Sequence, residues 1–76
     1  MTTLKDAQLN KLYKIKKVVG GDIKVIRRFL ELGMLSGQVV KVINKSILKK
    51  VYLVEIRGYL LSIKTSLLDF IEVEEK

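Results

Sequence analysis

The sequence predicts a small, mainly β domain of barrel type, with one α-helix inserted after the first strand and a short helical turn before the last. Three observations carry this. Five runs rich in β-branched or alternating apolar residues follow one another with tight links. One segment, residues 23–32, switches to helical spacing. The chain has 76 residues, enough for one domain (1–76). In so small a protein a closed or nearly closed sheet removes edges that are poorly tolerated.

The first run, "KLYKIKKVV" (11–19), alternates apolar residues with lysines, the period of a half-buried strand. Gly20 and Gly21 make a turn. Asp22 then stands where an N-cap belongs, its carboxylate available to the first free amides of a helix. Ile23, Ile26 and Leu30 are read as the core stripe, flanked by Val25, Phe29 and Leu32, with Lys24, Arg27, Arg28 and Glu31 on the other side. Gly33 ends the helix where a left-handed residue is wanted. "LSGQ" (35–38) has the form of a type II turn, with Gly37 supplying the positive φ.

Three strands are then expected, "QVVKVIN" (38–44), "KVYLVEIR" (50–57) and "YLLSIK" (59–64). A lysine-bearing loop, "KSILK", joins the first two, and Gly58 is the tight connection to the third. "TSLLD" (65–69) reads as a helical turn before a last strand, "FIEVEE" (70–75). The abrupt corner "RRFLELGMLSG" (27–37) leaves Met34 and Leu35 between two backbone devices. Either these side chains plug the barrel end or they are offered to a partner.

Composition removes several function classes. There is no cysteine and no histidine, so no disulfide forms and no zinc, haem or iron–sulfur site arises from the usual ligands. Thiol and histidine-based nucleophilic chemistry is excluded for this chain alone. Asp22, Glu31, Glu55 and Asp69 lie on different elements, so nothing in the sequence assembles an acid–base pair or a hard-cation site. No cofactor, metal site or enzymatic activity is expected. "VVGGDIKV" lacks the glycine spacing of a phosphate-binding loop, and Asp22 opposes an anion there. No signal sequence and no apolar run of roughly 20 residues appear, which points to a cytoplasmic protein.

The net charge is +7. The last eight residues, "DFIEVEEK", hold four acids and one base, so the first 68 carry +10. Such a body attracts nucleic acid, anionic membrane or an acidic protein surface. Tyr13, Tyr52 and Tyr59, interleaved with lysines, keep RNA binding by a small basic barrel as an alternative. Three tyrosines are few, they fall within strands where they can equally pack, and nucleic acid is the weaker reading.

One stretch carries a family resemblance. "FLELGMLSGQVVKV" (29–42) resembles the core of the FeoA family, the small ferrous iron transport protein A, at Leu30, Glu31, Leu32, Gly33, Met34, Ser36, Gly37, Val40 and Val42. "RGYLLSIKTSLLDFIEV" (57–73) is similar to the family's ending at Gly58, Leu61, Ile63, Leu68, Ile71 and Val73. "LKDAQL" (4–9) resembles its opening, with Ile15 and Val18 in the first strand. Ser36 replaces a usual proline, Leu68 a small alanine, and Asn10 stands near an expected glycine.

The resemblance implies an SH3-like barrel and an accessory role beside the ferrous iron transporter FeoB. The implied partner is the transporter's cytoplasmic G-protein domain. It also implies recruitment to the inner face of the membrane without a span of the chain's own. The candidate contact residues are Arg27, Arg28 and Glu31 on the helix and Met34 and Leu35 at the corner, where a flexible methionine suits an adaptable contact.

Overall fold

Alternation of apolar and polar residues builds the sheet. In the computed structural model, which describes residues 2–76, strand β1 (Thr2–Thr3) is followed by a 3-10 turn (Leu4–Asp6) and β2 (Leu12–Val18). The helix α1 (Ile23–Glu31) precedes β3 (Val39–Ser46), β4 (Val51–Ile56) and β5 (Tyr59–Lys64). A second 3-10 turn (Thr65–Phe70) leads into β6 (Ile71–Glu75). The helix therefore follows the second strand rather than the first, because β1 is only two residues long and too short for a period to register.

The strands form one antiparallel sheet in the order β1-β6-β2-β3-β4-β5. Register shifts between Ile15 and Lys17 in β2, and between Val42 and Asn44 in β3, bend these strands so that the sheet curls. Its two ends, β1 and β5, do not pair with each other. The second 3-10 turn touches both and spans the gap. Each long strand points alternate residues inward: Tyr13 and Ile15, Val40 and Val42, Val54 and Ile56, Ile71 and Val73. Leu4, Ala7, Ile63 and Leu68 complete the buried barrel with Phe29 and Met34. The bulkier side chain at 68 is thus taken into the core. Full burial of each large aliphatic residue contributes about 1.5–3 kcal/mol.

The helix is nine residues long, too short to stand alone, and depends on its caps and its packing. At its start the Asp22 carboxylate accepts a hydrogen bond from the Lys24 amide at 2.9 Å. At its end two bonds close a Schellman motif. The Gly33 amide donates to the Leu30 carbonyl at 3.1 Å, and the Met34 amide to the Phe29 carbonyl at 2.9 Å. This motif needs Gly33 at positive φ, here 90°. It also brings the residue after the glycine back onto the last turn, so Met34 joins Phe29 in the core.

The next device follows at once. The Gln38 amide donates to the Leu35 carbonyl at 3.0 Å, closing a turn whose third residue, Gly37, has φ 92°. Ile15 then ties the corner down, donating to the Gln38 carbonyl and accepting from the Gly37 amide.

The helix stripe is corrected. Val25, Phe29 and Leu32 face the barrel, with Phe29 buried and Val25 packed on the core. Ile23 is 69% exposed and Leu30 is also exposed. Both sets have helical spacing, so periodicity alone does not choose between them. Packing decides: Phe29 joins Met34 in the core and Val25 packs against it, which turns this side of the helix inward.

Candidate partner-binding site

Rotation of the helix leaves apolar side chains on two surfaces. The first is its outer face, where Ile23 and Leu30 flank Arg27. The second is a groove between α1 and the free edge of β5. Its larger part is a depression of about 260 Å³ lined by Arg28, Phe29 and Leu32 on one wall and by β5 and Leu67 on the other. It continues past Val25 and Lys24 over the same Phe29 and Leu67. β5 pairs with β4 along one edge only. Its other edge therefore presents backbone donors and acceptors beside an apolar trough, the arrangement that accepts an added strand or a flat apolar partner.

The closed end of the groove is held by the β4–β5 hairpin. The Tyr59 hydroxyl donates to the Leu32 carbonyl, one of the acceptors that a helix end leaves free. Arg57 lies against Gly33, so close that a Cβ added there would stand 2.9 Å from its Cδ. The absence of a side chain at residue 33 thus serves the helix end and the hairpin contact together.

The corner residues part company. Met34 is 1% exposed, held in the core by the C-terminal motif, and leaves the set of residues a partner can touch. Leu35, 41% exposed, stays on the surface. Arg27 and Arg28 are exposed, and Arg28 lies 4.0 Å from Glu31, a solvated pair of small energetic value. The structure brings Arg28 to the groove and leaves Arg27 on the outer face. Leu61 and Leu67, which complete the groove, went unread in the sequence because strand and 3-10 periodicities say nothing of which helix packs alongside.

The other candidates resolve into structure. Asp22 caps the helix, Glu31 faces Arg28, Glu55 lies 3.9 Å from Lys41, and Asp69 lies 3.7 Å from Lys5. Among the described residues no three histidine, cysteine, aspartate or glutamate side chains cluster to hold a metal ion. All three tyrosine hydroxyls are engaged in ties between elements. Tyr13 accepts from the Gln8 amide, Tyr52 donates to the Lys5 carbonyl, and Tyr59 donates to Leu32. Tyr13 is buried as well, so a surface row of stacking rings for RNA is not formed.

One acid is unusual. Glu72 is buried on the outward side of β6, with Oε1 3.5 Å from the Lys16 ammonium and Oε2 without a hydrogen-bond partner among the described residues.

The FeoA domain family model matches residues 2–75. The chain belongs to the FeoA family. That family is associated with ferrous iron transport, and its SH3-like fold is the one described above. The FeoA of Stenotrophomonas maltophilia, solved with zinc and described as a prokaryotic SH3 domain protein, superimposes with TM-score 0.84 at 21% identity, covering 97% of this chain and 91% of that one. A FeoA-like protein from Clostridium acetobutylicum gives TM-score 0.83 at 26% identity, covering 99% and 90%. A manganese-dependent transcriptional repressor complexed with manganese gives TM-score 0.91 at 14% identity, and there the chain spans 36% of the longer protein. No curated protein matches the chain. No helix among the described residues is long and apolar enough to cross a membrane.

Proposed function

We propose that this FeoA-family chain is a non-enzymatic accessory protein of ferrous iron uptake. It acts by binding the cytoplasmic G-protein domain of a FeoB-type transporter and so modulates Fe²⁺ transport. The observation that carries this reading is the apolar groove along the free edge of β5, rimmed by Lys24 and Arg28, together with a helix face bearing Ile23, Arg27 and Leu30. An apolar centre with a cationic rim is the anatomy of a protein interface whose partner is acidic at its margin. Leu35 is exposed at the corner that follows the helix. The reading places the protein in the cytoplasm, where the G-protein domain resides.

The test is direct binding of the purified chain to the isolated G-protein domain by calorimetry. Arg27→Glu with Arg28→Glu is expected to weaken binding roughly tenfold or more, chiefly through association rate and salt dependence. Leu61→Lys in the groove is expected to weaken it further through dissociation. Absence of binding at high micromolar concentration, or an affinity indifferent to both changes, would overturn the assignment.

A further inference from the structure

The tip of the β3–β4 hairpin carries the two most exposed large hydrophobic side chains among the described residues. Ile47 is 88% exposed and Leu48 is 96% exposed, side by side in the four-residue turn 47–50. Turns of this kind favour glycine, asparagine, aspartate or proline, so two large aliphatics run against local preference. The turn is ordered. The Lys50 amide donates to the Ile47 carbonyl at 3.3 Å, the Lys49 amide to the Ser46 Oγ at 3.3 Å, and the Thr65 amide to the Lys50 carbonyl at 2.9 Å. The two side chains are therefore presented by a fixed scaffold.

Cations surround this tip. Lys45, Lys49 and Lys50 flank it in sequence, and Lys64 stands opposite Val51 on β5. None of the four forms an ion pair among the described residues, whereas Lys5, Lys11, Lys16 and Lys41 all do. No acid occurs in the chain between Glu31 and Glu55 or between Glu55 and Asp69. Beside the tip lies a depression of about 500 Å³ lined by Lys45, Ser46, Ile47, Lys50, Tyr52 and Thr65, with the Lys45 ammonium 5.2 Å from the centre of the Tyr52 ring.

We propose that this tip is a membrane anchor for anionic phospholipid, inserting Ile47 and Leu48 at the acyl boundary while Lys45, Lys49, Lys50 and Lys64 bind headgroup phosphates. Shape and charge together select the occupant. Ile47 and Leu48 project from a hairpin tip at 88% and 96% exposure with ammonium groups behind them, the order in which acyl chains and anionic headgroups meet an inserting loop; an acidic protein would match the charge but would need a pocket that receives both side chains. The inference does not depend on the transporter reading: the vesicle assay is read through changes at residues 47–50 and the G-domain assay through Arg27, Arg28 and Leu61, while Lys64, which also lines the α1–β5 groove, is changed in neither.

The experiment is co-sedimentation of the full chain with vesicles of phosphatidylcholine alone and of phosphatidylcholine with phosphatidylglycerol. Binding is expected only to the anionic vesicles. Ile47→Ser with Leu48→Ser is expected to weaken partitioning about a hundredfold. Lys49→Ala with Lys50→Ala should weaken it roughly tenfold or more. Both pairs are at an exposed turn, and unchanged circular dichroism confirms that the fold is kept. The chain lacks tryptophan, so Leu48→Trp supplies a unique reporter, whose emission should shift to shorter wavelength and be quenched by brominated acyl chains. Equal binding to neutral vesicles, or no binding to either, would overturn the proposal, the latter pointing to a protein at the tip. Anionic binding that ignores the serine pair and leaves the tryptophan unquenched would equally overturn insertion.

Discussion

Replacing Gly33 by alanine tests the helix end, the corner and the hairpin clamp together. Gly33 sits at φ 90°, a conformation that costs an L-residue about 1–3 kcal/mol. Alanine also narrows the unfolded ensemble, which returns about 0.4–1 kcal/mol, so backbone strain alone leaves a loss near 1 kcal/mol. Steric conflict adds to it, because the new Cβ would stand 2.9 Å from Arg57 Cδ and 3.4 Å from Arg57 Nη1. Arg57 is exposed and yields by turning away, so the extra cost is about 0.5–1 kcal/mol, the scale of an off-rotamer side chain. The expected total is roughly 1.5–2 kcal/mol, a fall of about 6–16 °C in Tm at 4–8 °C per kcal/mol for a domain of this size.

Gly37 is the internal control. Its φ is 92°, yet an added Cβ meets nothing within 4 Å. Gly37→Ala should therefore show the strain without the conflict. Urea unfolding followed by far-ultraviolet circular dichroism measures both, and Arg57→Ala in the Gly33→Ala background should recover the difference between them. Equal losses at the two glycines, with no recovery on removing Arg57, would refute the clamp. An unchanged midpoint for Gly33→Ala would refute the left-handed helix end itself.

Three further outcomes follow from the same contacts. Met34→Ala should cost about 2–4 kcal/mol through transfer and cavity terms, whereas Leu35→Ala should stay within about 1 kcal/mol; chemical denaturation separates them. Lys16→Ala should destabilise by leaving Glu72 as a buried charge, whereas Glu72→Met should be neutral or stabilising because it removes an oxygen that has no partner; the urea midpoints of the two variants should move apart. Lys11 donates to Glu75 Oε1 at 2.6 Å, and that hydrogen bond holds its ammonium above the usual lysine range. A raised pKa in the folded state adds stability that is complete below the unfolded value and is lost as pH rises through the folded one. The midpoint difference between the parent and Lys11→Met should accordingly be flat near neutrality and shrink only in strong alkali.

Local chemistry made much of this protein legible in advance. The strand at Tyr59–Lys64 matches its apolar pattern end to end, and the other long strands differ only by a residue or two at their termini. The caps at Asp22 and Gly33 and the turn at Gly37 lie where residue type demands them, because each depends on a hydrogen bond spanning a few residues. Arg28 can be picked out as a surface candidate from its charge, and Met34 and Leu35 together from their place between two turns, but not which of the two is exposed. Leu61 and Leu67 cannot, since they join the groove only when β5 and the second 3-10 turn come beside α1.

Residue order along the chain is enough to place the bends, the alternating segments and the family. The way the helix faces, the burial of Met34 beside an exposed Leu35, the burial of Glu72, and the unpacked Ile47 and Leu48 at a cationic tip emerge only from the folded arrangement. The difference is one of range. Periodicity and capping are set by neighbours along the chain, and the sets 23/26/30 and 25/29/32 satisfy helical spacing equally well. Burial is set by whichever element arrives from elsewhere, and that requires the sheet to curl before any side chain has an inside to face.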